Sequence, residues 1–421
     1  MKVLMFGWEF PPHISGGLGT ACYGLTKALY DKDVEIIFVV PKAFGDEDTS
    51  QIKILSASQV VNNLSQQERK NIDQKISFVQ INSTIIPYIG QQDYYNIIHS
   101  TTPAQKQANN LKLDFKGGYG ENLLEEVERY AFVGASIAKQ NTFDVIHAHD
   151  WLCYKAGVIA KQISNKPLIV HVHATEYDRS GENINQEVYQ VEKYGMDNAD
   201  KIVAVSEFTR NIIINKYHQN PDKVLTIHNG VEQNISKEYS NKTKNKKIVS
   251  FIGRITFQKG PDYFIEAAEK VLKKDKNFLF IMAGKGDMLN KMVALVAKKR
   301  ISKNFLFTGF LESQEVNQLL SQSDMFIMPS VSEPFGIAPL EAMQNSVPTI
   351  ISKQSGVSEV LHNAIKVDFW DTDAIANAIY AIGNYKTLSN MLSIEGKAEA
   401  INTTWSKAAE KLVELYNQLT K

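Results

Sequence analysis

Glu333 and Glu341 stand with seven residues between them, around the run Pro334-Phe335-Gly336-Ile337 and a short apolar segment that begins at Ala338. Pro339 suits the first turn of a helix, where a missing N–H costs nothing. Glu341 then falls in that first turn and Glu333 in the loop before it. Gly336 lets backbone approach a ligand closely, with Phe335 and Ile337 on either side. Uncapped N–H groups at a helix start suit a phosphate, whereas carboxylates suit hydroxyls. A ligand carrying both, a phosphate between two polyols, answers to a nucleotide sugar. Two glutamates at a helix start can also serve only the helix dipole, so the reading depends on what else the chain brings to them.

Cations come first. Arg254 follows an apolar run that starts at Ile248, and Lys259-Gly260-Pro261 precedes the next helical stretch. A guanidinium fork and an ammonium point charge beside a helix start fit a diphosphate and can stabilise charge building on it as it leaves. Histidines come second. His173 ends the run Pro167 to His173, and His147-Ala148-His149-Asp150-Trp151 ends another. His173, at the strand end, can reach a ligand in the cleft, while His171 reads as packing. A glycine pair comes third: Gly16 and Gly17 follow the first strand-sized run, Val3 to Phe6, and open an apolar helix through Leu29. The Gly-x-Gly-x-x-Gly dinucleotide spacing is absent.

The elements that must carry these residues alternate. Strand-sized apolar runs at Val3 to Phe6, Val34 to Val40, Asp144 to His149, Lys166 to His173, Lys201 to Val205 and Val224 to His228 are separated by helical stretches. That pattern predicts a parallel sheet covered on both faces. A second set follows at Ile248 to Gly253, Phe278 to Ala283, Asn304 to Thr308, Met325 to Met328 and Pro348 to Ile351. The fold class is therefore α/β, with two doubly wound Rossmann-like domains facing a cleft at the carboxyl ends of their strands. The boundaries are 1–230 for the first domain and 248–400 for the second, with a polar linker between and an amphipathic helix over 404–421. Residues 51–110, rich in Asn, Gln and Ser, read as an insertion in the first domain.

Length and composition agree. A chain of 421 residues exceeds one ordinary core. With 46 basic and 46 acidic residues the formal charge is zero, which excludes bulk nucleic-acid binding as an organising role. Two cysteines, Cys22 and Cys153, make no disulfide framework and point to a reducing, cytoplasmic setting. No apolar stretch reaches the length of a transmembrane helix.

Taken in order, Gly253-Arg254-x4-Lys259-Gly260 and Glu333-x7-Glu341 with its Pro-Phe-Gly and Glu-Ala resemble the signatures of retaining glycosyltransferases of the two-domain GT-B type, of the glycogen and starch synthase kind. His149-Asp150-Trp151 is similar to the His-Asp-Trp run of those synthases, and the loop after His173 to the one whose histidine contacts the donor sugar. The resemblance spans nearly the whole chain outside the 51–110 segment. It implies transfer of glucose from ADP- or UDP-glucose to an α-glucan, with retention through a front-face displacement and without a metal. The nucleotide sugar is then a substrate, and no cofactor is expected. By the same resemblance Arg254 and Lys259 hold the departing diphosphate, Glu333 binds glucose hydroxyls, Glu341 the ribose, and His173 the sugar near its 6-hydroxyl. Asp150 lies near donor or acceptor sugar, Gly16 and Gly17 close over the phosphates, and Phe310 ends the loop Phe307-Thr308-Gly309-Phe310 that meets the base. The final helix crosses back onto the first domain.

One position departs. Bacterial glycogen synthases carry a lysine two residues before the glycine pair, where this chain has Ile14 preceded by His13. A transferase with another sugar or with a lipid, sucrose-type or polysaccharide acceptor, or an epimerase of the same fold, stays open on that account. A different class is a metal-dependent hydrolase built on His147, His149, Asp150, His171, His173 and Glu176, whose side chains are suitable ligands for zinc or manganese. It would leave Arg254, Lys259, Glu333 and Glu341 without a role.

Overall fold

The computed structural model describes residues 1–12, 16–43, 47, 52–57, 123–232 and 246–421. Among these, two parallel sheets organise the chain. The first contains β1 (Lys2–Phe6), β2 (Glu35–Val40), β3 (Lys53–Ser56), β4 (Val145–His149), β5 (Leu168–Val172), β6 (Lys201–Ala204) and β7 (Val224–Thr226), in the order β3-β2-β1-β4-β5-β6-β7. The second contains β8 (Lys247–Ile252), β9 (Phe278–Ala283), β10 (Phe305–Gly309), β11 (Met325–Met328), β12 (Thr349–Ser352) and β13 (Ile365–Val367), in the order β10-β9-β8-β11-β12-β13. In both, the strand order reverses direction beside the first strand, which is the switch point where a crevice opens outside the carboxyl ends.

The strands are apolar throughout because helices cover both faces. Along β1, Val3 and Met5 face one layer while Leu4 and Phe6 face the other, and all four are fully buried. The first layer includes Cys22, Leu25 and Leu29 from the helix Gly17–Tyr30 and Trp405, Ala409, Leu412 and Tyr416 from the helix Trp405–Thr420. The C-terminal helix thus packs on the first sheet, although it follows the second domain in sequence. Its return is close at Gly230, where a Cβ would stand 2.2 Å from the backbone nitrogen of Trp405. Val231 and Thr404 bridge there as parallel backbone.

The structure changes the reading of the 51–110 segment at its start: Lys53–Ser56 is an edge strand of the first sheet, paired with β2. Residues 51 and 58–110 of that segment lie outside the described residues, as do His13, Ile14 and linker residues 233–245. The short edge strand β13 was also not anticipated. Among the described residues, no helix is long and apolar enough to cross a membrane.

Candidate active site

Between the carboxyl ends of the two sheets lies a cavity of about 560 Å³. Arg254, Lys259, Phe310, Glu333, Phe335, Gly336, Ile337 and Glu341 line it from the second domain. Gly16, Gly17, Asp150 and His173 line it from the first. The residues assigned to the glycosyltransferase reading therefore reach one space, while His147, His149, His171 and Glu176 of the hydrolase reading do not line it. Glu9, three residues past the end of β1, and Ser330 also line it; neither had been singled out. A carboxylate so near a strand's carboxyl end was the available signal for Glu9.

The second-domain wall is built by two loops that follow neighbouring strands. After β8, a 3₁₀ turn, Phe257–Lys259, places Lys259 just before the helix Pro261–Lys274, whose start has no side-chain cap. After β11, the chain runs to Glu333, whose carboxylate pairs with the Lys259 ammonium and accepts from Ser330 Oγ at 3.1 Å. Both partners are largely buried, with side-chain exposures of 19% for Lys259 and 8% for Glu333. The backbone N–H of Glu333 donates to Gln354 O at 3.0 Å and its carbonyl accepts from Gly356 N–H at 2.9 Å, so β12's loop fixes the carboxylate's position. Gly336 adopts φ 100°, and a Cβ there would lie 3.1 Å from Glu333 Cγ, so this turn needs glycine twice over. Glu341 sits in the first turn of the helix Ala338–Gln344, and burial raises its pKa.

The first-domain wall is more strained. Asp150 directly follows β4 with φ 63° and ψ 168°, a conformation that essentially only glycine adopts without cost, and its backbone N–H is tied to His171 O at 2.9 Å. Such a residue costs on the order of 1–3 kcal/mol and persists only where the surroundings over-determine it. Burial pushes the Asp150 carboxyl up to about 6, against the pull of Arg179 and the backbone N–H groups of Ala174 and His173. Its Oδ1 is buried with no hydrogen-bond partner among the described residues. A buried acceptor left unmade is costly, and a ligand hydroxyl would satisfy it. Among the described residues, a Cβ at Gly16 or Gly17 meets nothing within 4 Å. The helix they open has no side-chain cap and no acidic residue in its first turn, which leaves N–H groups directed at the cavity.

The loop after β5 carries His173 and is held by a buried network. Thr175 and Asp178 form a capping box at the helix Glu176–Ser180. Arg179 pairs with Glu176 at 3.1 Å and with Glu192, and Tyr217 donates to Glu192, whose carboxyl burial pushes up to about 7. Ser332, directly before Glu333, donates from Oγ to Asp178 Oδ1 at 2.6 Å, joining the two walls of the cleft. Farther along the domain contact, Ser206 Oγ donates to Pro334 O at 2.5 Å, and Glu359 accepts from the N–H groups of Glu207 and Phe208.

Four imidazoles occupy one face of the first sheet. His147 and His149 alternate along β4, His171 lies beside them on β5, and His173 follows one position past it. His149 Nδ1 and His173 Nε2 are 3.0 Å apart, His147 Nε2 and His171 Nδ1 3.2 Å, and His147 Nδ1 meets Tyr416 Oη at 2.6 Å. His147 is thus engaged at both ring nitrogens, by its neighbour and by the C-terminal helix. Glu176, the carboxylate of the hydrolase reading, is turned away into its ion pair with Arg179 and accepts from Ser180 Oγ and Asn185 N–H. That reading loses its Glu176 carboxylate to these bonds, while ring nitrogens of His147, His149 and His171 lie within 4.8 Å of one another.

Burial keeps these rings neutral, holding His147 and His173 down at about 3. An unfolded chain takes up protons near the ordinary value of 6.5 that the native ring refuses. The stability due to His147 is therefore complete above about pH 6.5 and is lost as pH falls toward 3. The destabilisation of His147→Gln relative to the unsubstituted chain should narrow by roughly 1 kcal/mol per pH unit below that point. Denaturant titrations at pH 7.5 and 5.5 check this; a gap that stays constant or widens contradicts it.

Residues 2–227, more than half of the chain, match the family model for the starch synthase catalytic domain, and residues 232–418 match that for glycosyl transferases group 1. The chain is 25% identical over 435 aligned positions to an uncharacterised glycosyltransferase of Methanocaldococcus jannaschii, covering 99% of this chain and 98% of the other. It is 22% identical to a glycogen synthase of Mycobacterium tuberculosis, covering 86% of this chain and 80% of that one. A solved sucrose-phosphate synthase from Thermosynechococcus elongatus has the same fold, with a TM-score of 0.73 at 16% identity over 99% of this chain and 98% of that one.

Proposed function

The chain belongs to the glycosyltransferases of the starch synthase type, with the GT-B fold, and from that premise we propose that it transfers glucose with retention from ADP- or UDP-glucose to an α-glucan. The observation that carries the proposal is the placing of the Lys259–Glu333 pair and Arg254 across one cavity from Asp150 and His173. Arg254, Lys259 and the start of the helix Pro261–Lys274 take the diphosphate; Glu333, Asp150 and His173 take sugar hydroxyls. His173 Nε2 is engaged by His149, so a hydroxyl meets Nδ1. Glu341 takes the ribose, Gly16 and Gly17 close over the phosphates, and the base lies along the loop ending at Phe310. The glycosidic bond to phosphate breaks as charge builds on the leaving diphosphate, and the acceptor hydroxyl attacks from the same face, giving its proton to that phosphate oxygen. No metal takes part in these steps, because the two cations supply the charge stabilisation.

The test is release of nucleoside diphosphate from ADP-, UDP- and GDP-glucose, with and without glycogen, by chelator-treated protein. Glycogen-stimulated release from ADP- or UDP-glucose is expected. Equal release with and without glycogen would remove the α-glucan acceptor.

The Ser332–Asp178 bond sets the distance between the loops bearing Glu333 and His173. Positioning of this kind is worth large factors in rate. Ser332→Ala should lower turnover roughly tenfold while shifting the unfolding free energy by no more than about 1 kcal/mol. Steady-state kinetics and denaturation on one preparation check it; unchanged turnover contradicts a positioning role.

A further inference from the structure

Cys22, buried in the helix that opens at the glycine pair, lies beside two of the imidazoles just described. Its Sγ and ring nitrogens of His149 and His173 all fall within 4.8 Å of one another. Glu9 and Asp150 are close enough to raise the thiol's pKa further, after burial has done most of it. Nothing in the transfer chemistry uses Cys22, and His149 Nε2 is buried without a hydrogen-bond partner among the described residues.

We infer that Cys22, His149 and His173 form a site for a borderline divalent cation such as Zn²⁺ or Co²⁺, open to the cleft through His173, whose occupation blocks the donor sugar. A thiolate with two imidazoles is a ligand set that such ions favour over hard cations. In a tetrahedral site, metal–nitrogen and metal–sulfur bonds of about 2.0 and 2.3 Å put neighbouring ligand atoms roughly 3.3–3.6 Å apart. His149 Nδ1 and His173 Nε2 are at 3.0 Å already, so a cation between them needs only small ring shifts, with Cys22 Sγ within 4.8 Å of the ring nitrogens. Burial keeps both rings neutral, so no imidazole proton need be expelled to solvent. The single N–H shared by the two nitrogens moves to another nitrogen of its ring, for His149 the unpartnered Nε2. The Cys22 thiol loses its proton to solvent as the metal–sulfur bond forms. The negative charges of Glu9 and Asp150 nearby favour the incoming cation, and His173 borders the cavity and gives the ion its entry.

Binding itself is independent of the proposed function; only the competition with donor rests on it. The test adds Co²⁺ to the chelator-stripped full-length chain and reads the thiolate-to-cobalt charge-transfer band. One equivalent should produce the band, Zn²⁺ should displace it, Cys22→Ala should abolish it and Cys153→Ala should keep it. No band, or a band that survives Cys22→Ala, overturns the site. Because Cys22 is a core residue, a second measurement uses the unsubstituted chain: Zn²⁺ at ten times its Kd should slow alkylation of Cys22 by N-ethylmaleimide roughly tenfold, read on the Cys22 peptide. Labelling indifferent to Zn²⁺ overturns the proposal as well. If the band forms and the protein turns over no nucleotide-glucose, the site stands and the functional reading falls.

Discussion

Lys259→Ala is expected to lower turnover by two to three orders of magnitude, the range seen when one preorganised group facing developing charge is removed. The ammonium stands beside the uncapped start of the helix Pro261–Lys274 and is held there by Glu333. A cation fixed in this way acts without reorganising, so its loss falls on the barrier rather than on ground-state binding. The substitution also leaves the Glu333 carboxylate buried without its counter-ion, which costs on the order of 3–5 kcal/mol. The double variant Lys259→Ala/Glu333→Gln separates the two effects. It should recover much of the stability and none of the turnover. Arg254→Ala should fall in the same range of turnover, and near-normal turnover in either single variant would remove the leaving-group role.

Glu333→Ala has the second large effect, and of a different kind. Its carboxylate is anchored from both sides of its own backbone, by Gln354 and Gly356, and from Ser330, so it is presented in one position. A site built to bond a hydroxyl loses far more than a methylene's worth when the polar partner goes. Donor kcat/KM should fall by about a hundredfold or more, while the Kd of the free nucleoside diphosphate changes little. Calorimetric titration of the diphosphate alongside donor kinetics checks this. Loss of diphosphate binding with sugar transfer intact would contradict the assignment.

How far the site could be read from the chain follows from where each residue sits. Arg254 and His173 were legible because each stands at the carboxyl end of an apolar run of strand length, and parallel sheets bind ligands beyond those ends; Asp150 was legible through the His-Asp-Trp run. Gly336 and Pro339 marked a turn and a helix start in the same way. The edge strands β3 and β13 escaped because Lys53–Ser56 lies at the edge of a polar stretch and Ile365–Val367 is only three residues long. Ser332 and Asp178 carry no local signal for their bond, since 154 residues separate them and only the meeting of the domains makes it. The imidazole cluster was visible as alternation on two strands. Its engagement by Tyr416 was not, because that depends on the C-terminal helix returning to the first sheet.

The most direct measurement takes the product of one glucose transfer from labelled donor to a short α-1,4-linked oligosaccharide and reads the new glycosidic bond by NMR. The account predicts an acceptor longer by one glucose, joined through an α bond. A β bond would contradict retention, and donor consumed with the acceptor unchanged would contradict transfer to an α-glucan.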